Sequence, residues 1–333
     1  MRDHPAYHIT KRTVGYLIRG ITLLFAVSIV AFALIKLSPI DPVQQYTTGM
    51  TGITEEQREA IAERFGVNEN PVTQYFSWLG DALHGDLGES SIYRRPVIQI
   101  IGEKFLNTFT LMMVAWGLSG IIGFTLGIIM GVFRGKWPDS IIKRICLVLC
   151  SAPTFWIGLI MLLVFSVFLG WFPIGLSSPI GVASGDVTFW QWLHHLILPA
   201  LTLSFIQFAS IAMHTRQKMV DVMESDYVLF ATARGESTWS IVRRHGLRNI
   251  LLPGITLQFA SFSELFGGAV LAENVFTYPG LGSAASSAGL SGDFPLLLGI
   301  TIFSAAFVFV GNLIANLIYG IVDHRIREGS TGG

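Results

Sequence analysis

The string GLSG at Gly117–Gly120 puts Ser119 in a G-x-S-G setting, which a nucleophilic serine can use when a histidine from another segment takes its proton. His194, His195 and His214 lie near one apolar run, and one of them beside Ser119 would make an intramembrane serine protease. All three sit toward the ends of that run, and small residues in tightly packed helices also produce the string. His194 and His195 invite a metal, but adjacent residues on a helix point about 100° apart and no carboxylate accompanies them. Asp86 and Glu89 read as a solvated or contact surface rather than a catalytic dyad. Cys146 and Cys150, four apart, match no C-x-x-C or zinc spacing and read as small apolar helix residues. The run RGKW, Arg134–Trp137, lacks both the hydroxyl residue after lysine and the earlier glycine of a nucleotide-binding loop. The residues thus predict neither a catalytic site nor a metal site. One acidic residue stands out instead: Glu264 lies inside an apolar run, where a carboxylate is expensive and faces either a hydrogen-bonding neighbour or a water-filled path.

The elements that would carry these residues belong in a bilayer. Of 333 residues, 51% are hydrophobic and 13% charged, against about 25% charged in soluble proteins. Crossing ~30 Å of hydrocarbon takes about 20 apolar residues. Six runs qualify: Val14 to Leu37, Phe109 to Phe133, Ile141 to Phe172, Leu193 to His214, Leu251 to Glu273 and Phe294 to Val322. The first follows basic residues as a signal peptide would, but its apolar core exceeds the usual ~7–15 residues and no A-x-A site follows, so it reads as a retained span. Net charge is zero, which points to neither nucleic acid nor an acidic partner. With the N-terminus inside, 16 of the 22 Lys and Arg fall in cytoplasmic segments, including Arg2, Lys11, Arg12, Arg325 and Arg327. The positive-inside bias therefore predicts both termini in the cytoplasm.

Between the first two spans an outer segment, Ser38 to Thr108, should fold as a small cap. Thr54 and Gln57 form a capping box opening one helix, and VTQYFSWLGDALHG predicts a second. In the second span Gly120, Gly123, Gly127 and Gly131 make a seam along which another backbone can approach closely. Pro153 should bend the third span, whereas Pro199 and Pro253 read as lying near span beginnings. Trp171, Trp190 and Trp192 suit the outer interface. Glu273 falls near that interface also.

One cytoplasmic segment is out of character. DYVLFATARGESTWSIVRRHGLRNILLP, Asp226 to Pro253, reads as two short helices, the first over Asp226 to Ala233 and broken by Gly235, where positive φ suits a turn. Ser237 is an N-cap for the second, TWSIVRRH, whose basic end precedes Gly246. Tyr227, Val228, Phe230, Ala231, Trp239, Ile241 and Val242 give the pair more apolar surface than a solvated loop needs. Physically this is either an amphipathic pair lying on lipid headgroups or a docking element for a soluble partner.

The residues also carry a resemblance. DYVLFATARG followed by LRNILLP, with 18 positions from Gly235 to Pro253, is similar to the loop motif of ABC-importer permeases of the oligopeptide, dipeptide and nickel branch. NPVTQYFSWLGDALHGDLGES, RRPV, PTFWIGLIMLLVFSVFLGWFP, HHLILPALTL, ENVFTYPGLG and NLIYGIVDHRIR extend the likeness over nearly the whole chain. The resemblance implies an all-α polytopic membrane protein, a six-span type I importer permease with an outer cap. Its parts would be residues 1–37, the cap 38–108, a permease core 109–323 with a coupling loop at 215–250, and a tail 324–333. It implies a non-catalytic half-channel in a bacterial or archaeal inner membrane. Partners would be a second permease, two cytoplasmic ATPases using ATP and Mg, and an extracytoplasmic binding protein. Asp226, Tyr227, Ala231, Ala233, Arg234, Gly235, Arg248, Asn249 and Pro253 would couple to the ATPases. Gly235 would shape the docking turn, and Ala231 and Ala233 would keep its surface shallow. Peptides are the implied cargo. The stretch around Glu264 is similar to nickel-type permeases and keeps a metal-chelate cargo as the alternative.

Overall fold

The computed structural model describes residues 5–39, 42–47, 54–64, 69–183 and 185–322. The expectations for Arg2, Arg325, Arg327 and the tail lie outside them, as do the side chains of Lys11 and Arg12. In chain order the helices are α1 (Pro5–Leu37), α2 (Pro42–Thr47), α3 (Glu55–Arg64), α4 (Pro71–Leu83), α5 (Val97–Val132), α6 (Trp137–Ser151) and α7 (Thr154–Met161). A π-helical turn, Leu162–Phe168, extends α7. Then come α8 (Phe189–Met223), α9 (Asp226–Ala233), α10 (Thr238–Ile241), a second π turn (Val242–Gly246), α11 (Leu247–Ala260), α12 (Phe262–Val275), α13 (Leu281–Ser291) and α14 (Phe294–Val322). Among the described residues the one β feature is an isolated bridge, Glu89 with Pro96. Among the described residues three helices are long and apolar enough to cross a bilayer, and three bent pairs, each counted as one span, bring the total up to six.

Two compact units emerge, Met1–Asn107 with Gly280–Val310, and Thr108–Pro279 with Gly311–Gly333. In the first, the capping box forms as the sequence predicts: Thr54 N–H donates to Gln57 (3.1 Å) and Gln57 N–H donates to Thr54 (3.3 Å). Asn70 caps α4, whose Tyr75 meets Ser28 of α1 at 2.7 Å and stacks edge-on against Phe25 and Phe32. The helix of the second span starts at Val97, well before the apolar run, because Glu103 and Lys104 lower the hydropathy without breaking the helix. That early stretch packs on α14: Gly299 sits where a Cβ would come within 2.6 Å of Val97, and Phe105 meets Phe303 edge-on. Asp293, fully buried at the start of α14, accepts bonds from the Ser90 hydroxyl (2.5 Å), Ile92 N–H (3.0 Å) and Leu296 N–H (3.2 Å). It therefore caps α14 and holds the hairpin around the Glu89–Pro96 bridge.

The second unit is built on the glycine seam. A Cβ on Gly123, Gly127 or Gly131 would strike α8 at Ile211, Thr215 or Met219, and at Gly123 and Gly127 a backbone carbonyl of α8 also stands within 3.0 Å. Pro153 does more than bend the third span: α6 and the α7 segment meet at 113°. The broken pair still runs the length of α8. Asp139 at one end bonds Arg216, while at the other the carbonyls of Trp171 and Gly175 meet His194 (2.7 Å) and His195 (2.9 Å). From His194 to Arg216 is roughly 33 Å of helix axis at 1.5 Å per residue, a bilayer's hydrocarbon depth. Two expectations need correction. Pro199 and Pro253 lie inside α8 and α11, because both helices begin earlier than their apolar runs, in amphipathic turns. Each proline there removes an N–H from the ladder and crowds the carbonyl four residues back.

Candidate functional site

The segment after α8 is structured by its own sequence. Asp226 opens α9 at its positive end, and the backbone stops at Arg234 and Gly235, where φ of +82° suits glycine and carries a strain for any other residue. Ser237 caps α10 by accepting from Ser240 N–H. The expected stop at Gly246 does not occur. Gly246 is right-handed, and α10, the π turn and α11 form one helix from Thr238 to Ala260. The glycine serves close packing instead: a Cβ there would lie 2.9 Å from Met219 Cε. The second short helix of the loop is thus the lower end of the fifth span.

Packing then fixes the loop. Met219 and Val222 of α8, Val228 and Ala231 of α9, Ile241 and Val242, and Ile250 of α11 share one buried cluster, with Ile128 and Val132 of α5 packed against it. Burying side chains such as Val228 and Ile241 contributes about 1.5–3 kcal/mol each relative to exposure. Ala231 is consequently part of this inner core, not of an outward surface, which corrects the role expected for it; Ala233 is exposed. Asn249 Nδ2 donates to the Tyr227 hydroxyl (3.2 Å) and to the His245 carbonyl (2.8 Å), and the Tyr227 and His245 rings lie 5.8 Å apart. Asp226, Tyr227, Arg234, Gly235, Arg248 and Asn249 are all exposed near this turn, while Pro253 lies farther up α11. Around them Leu229, Phe230 and Trp239 are 70%, 66% and 72% exposed, apolar side chains that the described residues leave uncovered.

The candidates for chemistry resolve differently. Ser119 is fully buried, donates to the Trp116 carbonyl (2.8 Å) and receives Gln258 Nε2 (3.3 Å). Gln258 and Trp116 also exchange bonds, Nε2 to carbonyl at 2.5 Å and Nε1 to carbonyl at 2.9 Å, so the serine belongs to a lock between α5 and α11. His194 and His195 are engaged with loop carbonyls and His214 is exposed; none of them serves Ser119. Among the described residues no group of three or more His, Cys, Asp or Glu is placed to hold a metal. Glu264 is exposed in the first turn of α12, just past a 50° break from α11. Glu273, expected at an interface, is instead fully buried and accepts from Thr108 at 2.5 Å. Burial and this carboxylate push the Tyr278 phenol up to about 12.

Sequence reasoning missed Glu273, Asp293 and the buried pair of Asp139 with Arg216. Their side-chain partners stand 77 to 203 residues away, so no local spacing announces those bonds.

Comparison with known proteins agrees with this architecture. Residues 123–328 match the family described as binding-protein-dependent transport system inner membrane component. The oligopeptide transport system permease protein AppB of Bacillus subtilis is 36% identical over 97% of this chain and 99% of its own length. A putative peptide transport system permease protein of Brucella abortus is 34% identical, covering 93% and 96%. The glutathione transport system permease protein GsiC of Escherichia coli is 33% identical, covering 96% and 98%. The chain, an all-helical multi-pass membrane protein, belongs to this family of inner-membrane components as a non-catalytic ABC-importer permease of its peptide branch.

Proposed function

We propose that this chain forms half of the path by which peptides cross the membrane, and that the segment 215–250 receives the force of two cytoplasmic ATPases. The observation that carries the reading is the two-faced loop. Its inner face is packed into the stems of α5, α8 and α11, while Leu229, Phe230 and Trp239 face outward. A contiguous exposed apolar face beside charged residues is what a protein partner covers. Asp226, Tyr227, Arg234, Arg248 and Asn249 supply its polar rim, and Ala233 its shallow part. The names of the relatives favour peptides over nickel or a metal chelate as cargo. A second permease completes the pathway, a binding protein delivers solute from outside, and both termini lie in the cytoplasm. Glu264, exposed at the break between α11 and α12, lines the path.

Two measurements test this. A photo-crosslinker at Phe230 in the assembled complex should capture an ATPase subunit; capture only by lipid returns the loop to a headgroup-bound helix pair. Gly235→Glu strains the +82° turn and puts a charge on the docking face. It should leave membrane insertion intact while uptake fails and ATP hydrolysis no longer responds to loaded binding protein. Normal coupled uptake by that variant sinks the assignment.

A further inference from the structure

The turn joining α5 to α6 is bound to the stem of α8 by more than a short connection requires. Asp139, 4% exposed, accepts Arg216 Nε on Oδ1 (2.6 Å) and Arg216 Nη2 on Oδ2 (2.8 Å), and Gly135 N–H adds a bond to Oδ2 (2.9 Å). This is the two-pronged geometry that fixes a guanidinium in both distance and angle. Arg134 of the same turn pairs with Glu224, the residue that ends α8 immediately before the loop. Beyond the ion pairs, Gly127 and Gly131 draw α5 onto α8, and Met130, Cys146, Phe208, Ala209 and Ala212 form one core across α5, α6 and α8. Ile128 and Val132 of α5 also rest on the loop's own cluster.

Static packing gains little from a buried ion pair, because desolvation offsets most of the attraction and an apolar pair of equal volume serves as well. What the charges add is a contact that resists sliding: α8 cannot move along the first turn of α6, or away from the α5–α6 turn that Gly135 binds to the same carboxylate, without stranding two charges. We propose that Asp139 and Arg216 are positioning residues for transport. They make α5 and the first turn of α6 part of the body that the loop drives, so the stroke reaches the second and third spans as well as the fourth and fifth. This rests on the coupling role given to the loop above.

The test uses the full complex with its ATPases and binding protein in lipid nanodiscs, with Cys146 and Cys150 replaced by alanine and spin labels at Lys136 and Gln217, both exposed. The inter-label distance should be narrow and the same in the nucleotide-free and vanadate-trapped states. Asp139→Asn should broaden it and lower peptide transported per ATP hydrolysed by about fivefold or more, the range of a modest coupling energy. Should that variant fail to assemble, Arg216→Lys, which keeps the charge and loses the fork, should give a smaller loss of the same ratio with ATP hydrolysis retained. A distance that changes between the two states in the unaltered pair overturns the inference, as does full coupling in Asp139→Asn or, where that variant does not assemble, in Arg216→Lys. The Phe230 crosslink in the same preparation separates the causes. When it forms, these outcomes speak to the ion pair alone; when it does not, the coupling role falls and the inference falls with it.

Discussion

Asp139 and Asp293 are both buried aspartates that hold a turn to a helix, yet they are satisfied in opposite ways. Asp293 is met by neutral donors, the Ser90 hydroxyl and two backbone N–H groups. Asp139 is met by the forked cation of Arg216 and a single N–H. Neutral donors make a seat: if the carboxylate goes, each is left short of one bond. A charged partner makes a clamp, because removing the carboxylate leaves a largely shielded guanidinium, 15% exposed, with no carboxylate to balance it. The hairpin around Ser90 is thus held in place, whereas the turn between α5 and α6 is tied to the stem that enters the loop.

The contrast gives a ranked set of outcomes. Asp139→Asn should be the most damaging, about 3–5 kcal/mol for an ion pair broken from one side, read as loss of thermal stability of the purified complex. Asp293→Ala should cost less, about 1–3 kcal/mol for buried donors left unsatisfied, in the same melting assay. An order reversed between these two would break the comparison. Ser90→Ala removes one neutral donor and should cost about 1 kcal/mol. Arg134→Ala, which loses an exposed pair with Glu224, should cost at most about 1 kcal/mol and lose even that in high salt. A large Arg134 effect would show that the outer bridge, not the buried pair, carries the clamp.

How much was legible follows from distance along the chain. The capping box at Thr54 and Gln57, the positive φ at Gly235, the N-cap at Ser237 and the glycine seam of α5 were all readable, because each depends on neighbours within a few residues or on one helix face. Gly246 misled because a glycine that ends a helix and one that lets a side chain approach look alike until Met219 is seen beside it. Pro199 and Pro253 misled because hydropathy marks lipid contact, not helix ends. The short helices α2 and α13 carry too little apolar pattern to stand out. Of the loop, the apolar residues were recognisable by type but not by side: Phe230 and Trp239 stay exposed, while Val228, Ala231, Ile241 and Val242 join the shared cluster. The part that Ser119 does play was hidden for the same reason, since only the fold reveals Gln258 as its partner.

The absence of a break at Gly246 has a mechanical consequence. The helix from Thr238 to Ala260 is a rod of roughly 35 Å at 1.5 Å per residue, held by the loop's cluster from Ile241 to Ile250. Turned by about ten degrees about the middle of that grip, near Gly246, its far end would shift sideways by about 4 Å, and the lock of Gln258 with Trp116 would carry α5 with it. That far end is where the rod gives way to α12 at 50°, and Glu264 stands one turn beyond.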